Sequence, residues 1–353
     1  MNMRALLAAS AVGFAGCAIG LYVEPKTALA SYLAVWVAVS AIPIGAIAVL
    51  AATYLVRGGW TPDLYRLLSA AALTMPVVAL LFLPVLAGLD QIYPWAAGGA
   101  ALPPFKAVYL TSWFFVLRSA VYFAVWTVLA VWLWRAYGDD SAMKRAASVS
   151  LIVWTLVASW AGIDWMESVE PDFHSSIYGF LAIGFDLLAG LGFAMGGVFL
   201  ADRPRRMANG AYAGVLLSTL LLWAYLHAMQ YIIIWTGNIP DETIWYIERL
   251  DNGWGYCLWA LFIVQFILPF FALLSADVRG STSALLWLAG VTLLMRCLEA
   301  VVLILPPLHA ADLWLLLDLS ASLLATGAAF LLAWQVTERT WQAALSRRAA
   351  AVG

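Results

Sequence analysis

Apolar runs of about 20 residues or more alternate along this chain with short breaks rich in Gly, Pro and charge. About 20 apolar residues carry an α-helix across bilayer hydrocarbon. Ten stretches qualify, at roughly 5–23, 28–56, 65–89, 107–137, 146–166, 176–200, 210–236, 251–275, 281–305 and 311–338. The breaks carry turn or charge signals: "EPK", "RGGWTPD", "DQIYPWAAGGAALPP", "GDDSAMKR", "EPDFHSS", "DRPRRMANG", "GNIPDET", "ADVRGSTS" and "PPLHAAD". The pattern predicts an all-α polytopic membrane protein, with residues 1–353 forming one integral membrane domain of about ten helices in bundles.

Alternating the breaks between the two sides sorts the cations unequally. Arg4, Arg57, Arg66, Arg135, Lys144, Arg145, Arg203, Arg205, Arg206, Arg279, Arg339, Arg347 and Arg348 fall on one side, and Lys26, Lys106 and Arg249 on the other. Cation-rich loops stay in the cytoplasm, so both termini are expected there. The start, "MNMRALLAASAVGFAGC", reads as a first transmembrane helix. A lipoprotein signal in residues 1–17, ending at Cys17, is the alternative, although Phe14 stands where such signals usually have Leu.

Composition agrees with the pattern: 65% of residues are hydrophobic and 11% charged, against about 25% charged in soluble domains. A net charge of −2 excludes nucleic acid as a partner. The three cysteines, Cys17, Cys257 and Cys297, have neither metal spacing nor a haem-attachment motif. Of the three histidines, His174, His227 and His309, only His227 lies inside an apolar run. The chain is expected to hold no metal and no covalent or metal-ligated cofactor.

Ionisable groups inside hydrocarbon are costly and point to function by default. Here they are Arg118, Asp164, Asp186, His227, Arg296, Glu299 and Asp318. At about 1.5 Å per residue, all lie within about 17 Å of the outer surface. That asymmetry predicts a polar cluster or half-channel opening to the periplasm. Plainer readings stand beside it. Arg296 and Glu299 are spaced to pair on one helix face. Arg118 can neutralise Asp164 or Asp186, and Asp318 can bond across a helix contact. His227 can be a satisfied interior histidine, and Asp164 and Glu167 can be solvated at the interface. Trp95, Trp113, Trp165, Trp235, Trp245 and Trp254 fall near outer ends, as an interfacial aromatic belt would; an aromatic wall for a quinone ring is the other reading.

Three stretches resemble one family. In "DWMESVEPDFHSSIYG" the matching residues are Asp164, Trp165, Ser168, Glu170, Pro171, Ser175, Ser176, Tyr178 and Gly179. In "QYIIIWTGNIPDETIWYIER" they are Gln230, Tyr231, Trp235, Asn238, Pro240, Glu242 and Thr243. In "KAVYLTSWFFVLRSAVYFAVW" they are Lys106, Tyr109, Phe115, Arg118, Tyr122 and Trp126. The chain thereby resembles the ActF-type subunit of alternative complex III, the bacterial quinol:cytochrome c oxidoreductase, among the NrfD-like, polysulfide-reductase-type membrane subunits. It departs from the family at Glu167, Asp172, His174 and Asp241.

The resemblance implies ten helices in the bacterial inner (cytoplasmic) membrane. It implies quinone or quinol as substrate, and partners that include iron–sulfur and multihaem subunits, a second NrfD-like membrane subunit, the quinone pool and lipids. The role implied is quinone binding or proton conduction. A proton acceptor must sit close to the quinol hydroxyls. Asp164, Asp186, His227 and Glu167 are the candidates for proton transfer. Arg118, Trp165, Gln230 and Trp235 are the candidates for the quinone vicinity, and Arg296, Glu299 and Asp318 for a charge network. A secondary transporter with a charged site in the outer membrane half, and a redox-silent scaffold for peripheral subunits, are the alternatives.

Overall fold

A computed structural model describes residues 2–56, 61–98, 102–200, 209–251, 253–308 and 313–352. Arg57, Arg203, Arg205, Arg206 and His309, used above, lie outside the described residues. Ten helices are long and apolar enough to cross a membrane: Met3–Val23, Pro25–Leu55, Leu64–Ala87, Ser112–Arg135, Asp140–Val169, Tyr178–Leu200, Asn209–Gly237, Trp254–Leu274, Thr282–Ile304 and Trp314–Thr340, numbered here as spans 1 to 10. No strand occurs among the described residues. The protein is an all-α, multi-pass membrane protein.

Two boundaries differ from expectation for local reasons. Span 5 begins earlier, at Asp140, because Asp139 caps it: its carboxylate accepts the N–H groups of Ser141 and Ala142 at 2.9 and 3.0 Å. Span 4 begins later, at Ser112. Residues 104–109 form a separate short helix, and the chain turns out of helical geometry at Leu110 and Thr111.

Span 2 is the central post, with 94% of its most apolar window buried. It packs against spans 3, 5, 6, 9 and 10. Small residues allow this, since helices in lipid associate by close packing rather than by a hydrophobic drive. At its crossing with span 6 the backbones nearly touch. A Cβ on Gly45 would collide with the Asp186 carbonyl, and one on Gly190 with the backbone of Gly45. Span 1, by contrast, lies outside, mainly against span 10.

Span 3 is broken by Pro76 and Pro84 into short helices. A broken helix inside a bilayer survives only if other groups take up the released backbone atoms. Span 2 supplies them. The Phe82 N–H bonds Ala79 rather than Val78, and the Val78 carbonyl accepts the Trp36 indole N–H at 3.1 Å. Likewise the Val85 N–H bonds Phe82, and the Leu81 carbonyl accepts the Tyr32 hydroxyl at 2.8 Å.

Gly45→Ala is expected to cost about 1–3 kcal/mol or more, because backbone must move to admit the methyl. Gly214→Ala, where nothing lies within 4 Å of the new Cβ, is the control and should cost nothing. Thermal unfolding in detergent measures both, and equal melting temperatures would contradict the tight crossing.

Candidate functional site

At the end where spans 3, 5, 7 and 9 terminate, the connections interlock into a cap. The Lys106 ammonium donates to the Pro171 carbonyl at 2.5 Å and lies 3.3 Å from His174 Nδ1. Burial pulls Lys106 below the usual lysine range, against Glu167 and Asp172. The Trp95 indole N–H donates to Ser168 at 3.0 Å, and Phe173 stacks on Trp245 at 5.2 Å. Arg249 is the centre of the cap and is fully buried. It donates to the carbonyls of Trp245, Val302 and Leu303 at 3.0, 2.9 and 2.9 Å and to Glu170, and its guanidinium covers the Trp245 ring. Burial lifts Glu170 above the usual carboxylate range, with Arg249 pulling it only part of the way back.

The acidic junction 164–180 is therefore largely a set of fasteners. Asp164 binds Arg118, Glu167 accepts the Ser175 N–H at 3.0 Å, and Glu170 binds Arg249. Only part of the aromatic belt is one: Trp113 and Trp235 are exposed, whereas Trp95, Trp165, Trp245 and Trp254 are buried within the protein.

Beneath the cap, Asp164 is closed off. Arg118 grips its two oxygens with Nε at 2.7 Å and Nη2 at 3.0 Å, and the Tyr122 hydroxyl adds a bond of 2.7 Å. Arg118 is itself covered by Tyr109 and Phe114 and donates to the Tyr109 carbonyl. Of the two partners expected for Arg118, it is Asp164 that it holds. Three donors thus occupy most of the acceptor sites of this fully buried carboxylate. Trp165 is no more available, since Trp36, Phe82, Phe123 and Trp126 surround its ring at 5.0–5.7 Å.

A second cluster lies between spans 7 and 9. Glu299 is 2% exposed and pairs with Arg296 one turn earlier. It also accepts the Trp223 indole N–H at 3.0 Å and contacts His227 Nε2 at 2.9 Å. The spacing explains the convergence: Trp223 and His227 share one helix face, as do Arg296 and Glu299. Phe185 and Trp223 lie 5.2 and 5.4 Å from the Arg296 guanidinium.

Buried polar atoms without hydrogen-bond partners among the described residues include, in the cluster, Arg296 Nε and Nη2, on the neighbouring helices Gln230 Oε1 and the Tyr178 hydroxyl, and in span 8 both amide atoms of Gln265. Gln265 sits in a π-helical stretch, Leu261–Ile267, in the middle of span 8, a wide-turn geometry that recurs at functional sites. Buried polar atoms in proteins are normally satisfied, if not by protein then by water or a bound polar group. His227 is the cluster's outlet. Its side chain is 29% exposed, and its contact with Glu299 is made through Nε2.

The remaining candidates are dispersed. Asp186 faces a cavity of about 20 Å³ lined also by Ser40, Trp126 and Trp165, room for about one water; Asp164 does not line it. Asp318 lies against Gly20 and beside Cys17 in the seam of spans 1 and 10. Trp235 is exposed, stacked on Tyr231 at 5.7 Å. Of the four residues expected near a quinone, Arg118 and Trp165 share the junction of spans 4 and 5, whereas Gln230 and Trp235 lie on span 7; of the expected charge network, Arg296 and Glu299 pair and Asp318 stands apart. Trp223, Arg249 and Tyr178 join the site without having been singled out as site residues. For Trp223 the signal was its position four residues before His227. No protein-family model matches this chain, and no curated protein matches it.

Asp164→Asn leaves Arg118 buried without a counter-charge and is expected to cost about 3–5 kcal/mol of stability. The double variant Arg118→Met, Asp164→Leu should recover most of it. Denaturant or thermal unfolding in detergent is the measurement, and a loss under about 1 kcal/mol for the single variant would show the pair to be dispensable.

Proposed function

We propose that this chain is an integral membrane subunit of a respiratory quinol:acceptor oxidoreductase resembling alternative complex III, and that quinol gives up a hydroxyl proton at His227. In this reading the protein lies in the bacterial cytoplasmic membrane with both termini cytoplasmic and the cap periplasmic. Electrons pass to iron–sulfur and haem centres of partner subunits, beside a second NrfD-like membrane subunit. Two features support it. The family-like stretches 106–126, 164–180 and 230–249 meet in one cap, through Lys106 with Pro171, Arg118 with Asp164, and Arg249 with Glu170. The observation that carries the chemistry is the His227–Glu299 contact beneath it.

The contact sets the chemistry. An ionised carboxylate only accepts hydrogen bonds. His227 Nε2 therefore carries the ring proton toward Glu299, and Nδ1 presents a lone pair toward the bundle surface. A quinol hydroxyl arriving from the lipid donates there. As the proton moves to Nδ1, the imidazolium forms against Glu299, which holds its orientation and offsets its charge. Arg296 holds the other Glu299 oxygen, the one that does not face His227.

His227→Asn and Glu299→Gln are expected to lower quinol-dependent electron transfer by roughly 10²–10⁴-fold while the purified complex keeps its subunits. Unchanged turnover would refute the assignment. A redox-silent scaffold is the second reading, favoured by the sealed Arg118–Asp164 and Arg249–Glu170 pairs. It predicts normal turnover in His227→Asn and lost assembly in Arg249→Ala.

A further inference from the structure

The opposite end of the bundle carries a feature that the proposed chemistry does not use. Spans 4 and 5 are joined by a short turn, and an open groove of about 640 Å³ lies at their junction. It is lined by Trp132 and Ala142, by the cations Lys144 and Arg145, and by Ser148 and Val149. The local acids are already engaged. Asp139 caps span 5, and Asp140 pairs with Lys144 at 3.2 Å and accepts the Tyr54 hydroxyl. Arg145 is exposed, its nearby acid Asp139 already spends its carboxylate on the span 5 N–H groups, and the exposed Arg135 follows Trp132 by one turn. Beyond the groove's lining, exposed apolar side chains follow along the same two helices: Val128 is 64% exposed, Ile152 66% and Leu156 53%. Positive charge and a hydroxyl stand at the water boundary, an indole stands beside them, and an apolar track runs inward.

We infer that this groove binds an anionic glycerophospholipid. The phosphate sits against Arg145 and Lys144, with the Ser148 hydroxyl as donor, and the acyl chains follow Ile152 and Leu156. A zwitterionic lipid brings its own cation to the same place and loses the advantage. Basic grooves between membrane helices favour anionic headgroups by this electrostatic term, about fivefold in affinity for each cation near the surface.

Native mass spectrometry of the full chain in detergent tests it, with phosphatidylglycerol and phosphatidylcholine of identical acyl chains at equal concentration. The wild type should retain phosphatidylglycerol preferentially. Lys144→Gln with Arg145→Gln should reduce that preference roughly 25-fold, while Arg279→Gln, an exposed cation outside the groove, should leave it intact. Inorganic phosphate should neither bind detectably nor displace the lipid. Equal retention of the two lipids, a preference untouched by the double substitution, the same loss in Arg279→Gln, or displacement by phosphate each overturns the proposal.

Discussion

A polar group released inside hydrocarbon must find its partner within the protein, because no water is there to replace it. That constraint shapes the whole bundle. Two prolines break span 3, and span 2 answers with Trp36 and Tyr32 at the carbonyls left over. The same rule holds Arg118 on Asp164 and Arg249 on four acceptors. Span 2 can serve so many neighbours because it is central, and it is central because its small residues let other backbones approach.

Against that background, the groups around Glu299 stand out. Elsewhere the buried cations Arg118 and Arg249 are closely matched, as a structural role requires. Here Arg296 retains unmatched donors although it is buried. One face of the cluster, His227, opens at the surface. A site that handles protons or polar substrate groups needs that combination, firm on one side and unfinished on the other. The cap above it contributes rigidity: stacked aromatics and ion pairs fasten the loops that would otherwise be free to move.

The helices were readable in the chain because hydrocarbon thickness dictates their length. Their ends were less so, since Asp139 capping and the turn at Leu110 are local bonding choices that hydropathy does not report. The sequence also assigns each ionisable group a depth, counted from the expected helix ends. Depth alone says nothing of azimuth, however. Asp186, Asp318 and Glu299, at similar expected depths, face a small cavity, span 1 and span 7 respectively. Arg249 read as an ordinary loop cation because its acceptors are mostly backbone carbonyls from residues distant in sequence.

The grip on Arg249 also constrains how the protein is made. Two of its acceptors, the carbonyls of Val302 and Leu303, lie 53 and 54 positions further along the chain. During synthesis the guanidinium reaches the membrane boundary well before those carbonyls exist, and it must remain hydrated meanwhile. Helix 240–250 can take its final seat only after span 9 has been inserted. Closure of this latch is therefore a late step of biogenesis, and protection of this loop from protease would report that the nascent bundle has been completed.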